Sequence, residues 1–238
     1  MIVRNLLLLI AAAFVFALPV TASADVITFQ APVTAPNAGN GGPRQIDLDH
    51  HRAYTWRIDN ISLPQGHTLM GATLTFHNIS NWDTNPNMLF MHLLDTARNA
   101  GIASFTDASG VPVPSSQIRD NFAGALLGSN PLVAPGTGNI LLTQQSFTTT
   151  PRDFVYTFTA DQLNILSVFI LNGSNLALGL DPDCHFWNNG ITLTLTTCPP
   201  TATPEPATMA LLGSGLAGLY YRRRQQKRKA AATATSQL

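Results

Sequence analysis

The sequence predicts an all-β protein: a β-sandwich of jelly-roll type with one short helix, flanked by an N-terminal signal peptide and a single hydrophobic C-terminal helix. Three observations carry that expectation. Short runs of alternating apolar and polar residues recur along the chain, separated by stretches rich in Gly, Pro and Asn. Charged residues make up only 11% of the sequence, while Thr, Asn and Ser are abundant, a composition that suits exported β-structure better than helices. The central body of about 180 residues shows no internal repeat, enough for one domain with a sizeable core.

The alternating runs place strands in order. They are Val26–Phe29, Tyr54–Ile58, Ala72–Phe76, Leu89–Leu94, Phe154–Phe158, Leu176–Leu180 and Ile191–Leu195. Turn-rich stretches, Pro36–Pro43 and Gly128–Gly138, separate some of them. One helix is expected after Thr159, which supplies a cap. Leu163, Leu166 and Ile170 share a face of it, and Asn172-Gly173 stops it. Many short strands with one small helix define a sandwich.

The two ends are targeting segments. Arg4 precedes an apolar run from Leu6 to Leu18, and Ala22-Ser23-Ala24 fits an A-x-A cleavage site. Residues 1–24 therefore read as a signal peptide, with the secretory translocon as first partner and Asp25 as the mature N-terminus. The sandwich is expected over 25–198, and 199–206 is a linker that begins with Pro199-Pro200. Residues 207–221 form a hydrophobic, transmembrane-type segment, and 222–238 a basic cytoplasmic tail. As a helix, 207–221 reaches roughly 22 Å, short of the roughly 30 Å of bilayer hydrocarbon. Tyr220 and Tyr221 can sit at the interface, and Arg222, Arg223 and Arg224 act as the membrane stop by snorkelling. Pro204 and Pro206, on either side of Glu205, fix an extended backbone suited to a protease groove.

Pro204-Glu205-Pro206-Ala207-Thr208, the Leu211–Leu219 span and the terminal arginines together resemble the PEP-CTERM sorting domain. That family is found on exported proteins of Gram-negative bacteria that make extracellular polysaccharide. The resemblance implies export, transient anchoring in the inner membrane, and removal of the tail by exosortase, a membrane transpeptidase-like enzyme. It makes Pro204, Glu205 and Pro206 the sorting motif. Within the body, Tyr54-Thr55-Trp56, the Asn78–Asn87 loop, His92–Asp95 and Asp181–Phe186 resemble uncharacterised exported proteins with the same tail, which carry no activity to transfer.

Charge excludes one class of partner. The body holds twelve Asp against six Arg and no Lys, a net charge near −6 with histidines neutral. Nucleic acid selects basic patches, so none is expected as a partner. Enzyme signatures are missing too: there is no Gly-x-Ser-x-Gly elbow, no His-Glu-x-x-His and no phosphate loop. Glu205 is the sole glutamate, so a glycosidase would need an Asp pair, and no pair stands out. No catalytic residue is assigned.

Two polar constellations remain. Asp47-Leu48-Asp49-His50-His51 lies near the start of the body and Asp181-Pro182-Asp183-Cys184-His185 near its end. Alternation places Asp47 and Asp49 on one side of an extended chain, and likewise Asp181 and Asp183. Sandwiches bring first and last strands together, so these four carboxylates are the candidate ligands for Ca2+, the one cofactor considered. Zinc through His50, His51 and His185 lacks the ligand spacing of zinc sites. Cys184 and Cys198 form a candidate disulfide, provided that Asn188-Asn189-Gly190 turns a hairpin between them. Trp82 and Trp187, each beside Asn or Asp, are candidate stacking surfaces for sugars. The expectation is a surface or matrix protein that binds exopolysaccharide, with a ligand-free structural protein or a polysaccharide-active enzyme as alternatives.

Overall fold

Strand alternation sorts the chain into two antiparallel sheets that share one core. The computed structural model describes residues 23–33, 46–50, 52–106, 119–200 and 206–235. One compact unit spans Ala24–Pro199. Its first sheet contains β1 (Asp25–Gln30), β2 (Ile46–Leu48), β4 (Thr68–Asn81), β8 (Arg152–Thr157), β10 (Phe186–Asn188) and β11 (Ile191–Cys198). The second contains β3 (Arg52–Ile58), β5 (Met88–Leu94), β6 (Gly101–Thr106), β7 (Asn139–Ser146) and β9 (Leu176–Pro182).

Register simplifies this topology. β10 and β11 pair with β4 in a common register, Phe186 opposite Asn81 and Ile191 opposite Phe76, which shifts only between Thr196 and Thr197. They are two halves of a single strand. β1 and β2 flank those halves in turn, β1 along β11 and β2 along β10. With each pair counted as one strand, and with β6 set aside as an added edge on β3, eight strands remain. The sheets then read 1-8-3-6 and 2-7-4-5, which is the jelly-roll order.

The sequence explains the burial. In β11, Ile191, Leu193 and Leu195 face the core and the intervening Thr residues face outward. β4 supplies Leu74 and Phe76, and the second sheet supplies Tyr54, Trp56, Leu89, Met91, Leu178 and Leu180 to the same cluster. β9 differs, being buried along its whole length. Its outer face carries the small Ala177 and Gly179, and Phe122 packs there with Ala53, Leu94, Ala97 and Val133 in a second cluster. A short helix, α1 (Gly124–Ser129), belongs to the loop that makes this cover. Polar anchors fasten the loop to the sheet. Buried His92 on β5 places Nδ1 2.9 Å from Asn139 Oδ1 and Nε2 2.9 Å from Asp120 Oδ2.

The predicted helix is present as α2 (Ala160–Gly173), with a capping box in which Thr159 accepts from the Gln162 amide and Gln162 caps Thr159. Leu166, Phe169 and Ile170 are its buried residues, and Leu163 packs partly buried against the same core. Each of the seven expected strands overlaps an observed one. β2, β6, β7 and β10 were not anticipated: β2 and β10 span three residues each, and β6 and β7 are edge strands paired on one side only. Of the expected turn stretches, Pro36–Pro43 lies outside the described residues.

The tail helix, α3 (Pro206–Thr235), belongs to a second unit. It runs without a break from the apolar stretch through Arg222, Arg223 and Arg224. Among the described residues no helix is long and apolar enough to cross a membrane. The apolar stretch 207–221 is thus the first part of a longer helix, in which the arginines begin before about 20 apolar residues are reached. Pro204, Glu205, Ala22 and the rest of the expected signal peptide up to residue 22 lie outside the described residues.

Candidate functional site

The corner where β2 meets β10 gathers the polar side chains. Ile46, Leu48 and Phe186 point into the core, so alternation turns Asp47 and Trp187, which pair across the two strands, the other way. Just beyond the strand ends, Asp49, His50 and His185 join them. His185 Nδ1 lies 3.1 Å from Asp47 Oδ1. Its Nε2 lies 3.6 Å from Asp49 Oδ1, which is itself 3.0 Å from His50 Nδ1. The two imidazoles meet edge to face with centroids 4.6 Å apart. Among the described residues, Asp49, His50 and His185 are the group whose ligand atoms all fall within 4.8 Å of one another.

Two neighbours hold this corner. Tyr54 reaches from the second sheet, and its hydroxyl accepts the Asp49 amide at 2.9 Å and donates to the Asp47 carbonyl at 3.5 Å. Burial raises the Tyr54 pKa far above the ordinary phenol range, so it acts there as a neutral hydroxyl. Trp82 stands beside His185, with ring centroids 5.9 Å apart, and its amide donates to the His185 carbonyl at 3.2 Å.

The four candidate calcium ligands divide between different tasks. Asp47 and Asp49 are at the corner. Asp181 is buried on β9 and accepts from the Asn121 amide and side chain, fastening the covering loop. Asp183 accepts the Met88 amide at 2.6 Å where the chain leaves the second sheet. Burial pushes the Asp183 carboxyl up to about 6, against the pull of that hydrogen bond. The residue that the last strand brings to the first is therefore His185, because the chain changes sheets between Pro182 and Phe186. His51 lies outside the described residues.

The loop after β4, residues 82–87, is locked by its own side chains and by Asn81. Asp83 accepts from the Asn85 amide, the Asn85 side chain and the Asn87 side chain, at 3.0, 2.6 and 2.8 Å. Asn81 donates to the Asn85 carbonyl at 2.8 Å and accepts from Asn87 at 3.0 Å. This cage leaves Trp82 53% exposed. Trp187 is half-buried.

The disulfide expectation is overturned: Cys184 and Cys198 are free thiols. Asn188-Asn189-Gly190 is no hairpin, since β10 and β11 continue along β4 in the same direction. His77 keeps the ladder intact across the gap, donating to the Gly190 carbonyl at 2.9 Å and accepting from Asn189 at 2.7 Å. The two cysteines thus lie at opposite ends of an extended strand of about a dozen residues, roughly 40 Å apart, whereas a bridge needs Cα atoms within about 7 Å. Burial raises the Cys184 thiol pKa.

Sequence reasoning missed Tyr54 as a corner support and His92 as a loop anchor. The signal for His92 was visible, a lone imidazole inside the apolar run Leu89–Leu94. The Tyr54 role leaves no local trace, because its partners lie on another strand.

Residues 202–224 match the PEP-CTERM protein-sorting motif. No match was found among curated proteins. The motif is a signal for export and for processing at the membrane by exosortase, so the chain carries a sorting tail of that kind.

Proposed function

We propose that this exported, exosortase-processed protein serves at the cell surface or in the extracellular matrix, where its jelly-roll body binds polysaccharide through Trp82. The observation that carries the reading is a large aromatic, 53% exposed, on a loop that its own hydrogen bonds hold rigid. A rigid, exposed indole offers stacking area at little entropic cost on binding. The acidic body favours neutral or cation-bridged polymers over polyanions.

The test is a polysaccharide array probed with the exported protein and its Trp82→Ala variant. Binding by the parent and a loss of about tenfold or more in the variant, a difference of about 1.4 kcal/mol, is the expected outcome. Absence of binding by the parent would leave a structural surface protein without a specific ligand. Equal binding by both forms would remove Trp82 from the role.

A further inference from the structure

We propose that Asp49 Oδ1, His50 Nδ1 and His185 Nε2 form a mononuclear site for a divalent first-row transition metal, with Zn2+ the ion it suits best, and that Asp47 positions His185 for it. This inference is independent of the polysaccharide reading.

The donor set decides the class of ion. Two imidazoles and one carboxylate match Zn2+, whereas Ca2+ takes six to eight oxygens. The other carboxylates of the region are already engaged: Asp181 with Asn121, Asp183 with Met88, and Asp83 within its own loop. Tetrahedral zinc with bonds of roughly 2.0–2.1 Å sets its ligand atoms roughly 3.3 Å apart. The separations here, 3.0 Å from Asp49 Oδ1 to His50 Nδ1 and 3.6 Å to His185 Nε2, bracket that value.

Two further observations point to a cation. Asp49 Oδ1 is shielded from water yet accepts no well-aligned hydrogen bond among the described residues. A carboxylate oxygen in that position is costly unless a positive charge meets it. His185 turns Nδ1 to the Asp47 carboxylate, which fixes the proton on that nitrogen and aims the Nε2 lone pair at Asp49. This is the carboxylate–histidine–metal relation that orients ligands in metalloproteins. Tyr54 fixes the Asp49 main chain. Three protein ligands leave the fourth tetrahedral position for water. Placing the ion joins the first and last strands of the sandwich.

The full chain, purified in detergent and stripped with a chelator, is titrated with Zn2+ by calorimetry and with Co2+ by visible absorption. The expected result is one ion per chain, with Co2+ bands that Zn2+ abolishes and millimolar Ca2+ does not. Asp49→Asn, His50→Gln and His185→Gln should each weaken binding by about 100-fold, and Asp47→Asn by about tenfold with a shifted Co2+ spectrum. His67→Gln, on a separate contact to Thr197, should bind as the parent does. To separate binding from folding, the unaltered chain is also treated with diethyl pyrocarbonate. Zn2+ should protect His50 and His185 but not His77, which is bonded to Thr192. Failure to bind one ion, displacement by Ca2+, indifference to His185→Gln in a folded variant, or protection at other histidines alone would each overturn the site.

Discussion

Gly179 sits at the middle of β9 beneath the ring of Phe122. A Cβ there would come within 3.0 Å of two ring carbons and 3.1 Å of a third. The ring is fully buried, and the loop carrying it is tied down by Asp181 and Asn121, so it has little room to withdraw. Gly179→Ala is expected to destabilise the protein by about 1–3 kcal/mol. Thermal unfolding followed by circular dichroism checks this, and an unchanged midpoint would show that Phe122 yields freely. The candidate site follows the same rule at this scale. Asp49, His50 and His185 were each visible as polar residues in the sequence. Their grouping was not, because Asp181 and Asp183 shared the same local pattern and only the crossing between sheets separated them from His185.

Asn188-Asn189-Gly190 shows how an element's context overrides a local signal. An Asn-Gly pair between alternating segments favours a two-residue hairpin when those segments are free to pair with each other. Here the 14-residue β4 takes both of them, burying Phe186 on one side of the gap and Ile191 on the other. The turn residues are left to absorb an irregularity, with Gly190 at φ 140°. A Cβ at Gly190 meets nothing closer than 3.6 Å, so the obstacle is conformation and not space. Gly190→Ala is expected to cost about 1–3 kcal/mol through backbone strain. Chemical denaturation would measure it, and a loss below about 0.5 kcal/mol would mean that the backbone relaxes around the new side chain. By contrast α2 was legible to its boundaries, since the Thr159–Gln162 capping box is a contact between residues three apart.

At the scale of the whole molecule, sorting and folding are written in different ways. The tail signal occupies contiguous residues, so its recognition is expected to follow the linear sequence. Replacing Pro204-Glu205-Pro206 with alanines should therefore leave the full-length protein in the inner membrane while the body stays folded. Immunoblotting of membrane and extracellular fractions checks this, and processing at the normal rate would remove those residues from recognition.

The sequence by itself determined the C-terminal sorting motif, the alternation that makes the body a sandwich, and the capped helix. All of these depend on neighbours a few residues apart. Tertiary structure decided which strands pair, that Cys184 and Cys198 stand at opposite ends of one strand, and that His185 meets Asp47 and Asp49. Those outcomes depend on the competition among strands for β4 and on where the chain crosses between sheets. Both are settled by burying Phe186, Ile191 and their neighbours in a common core, which no local pattern records.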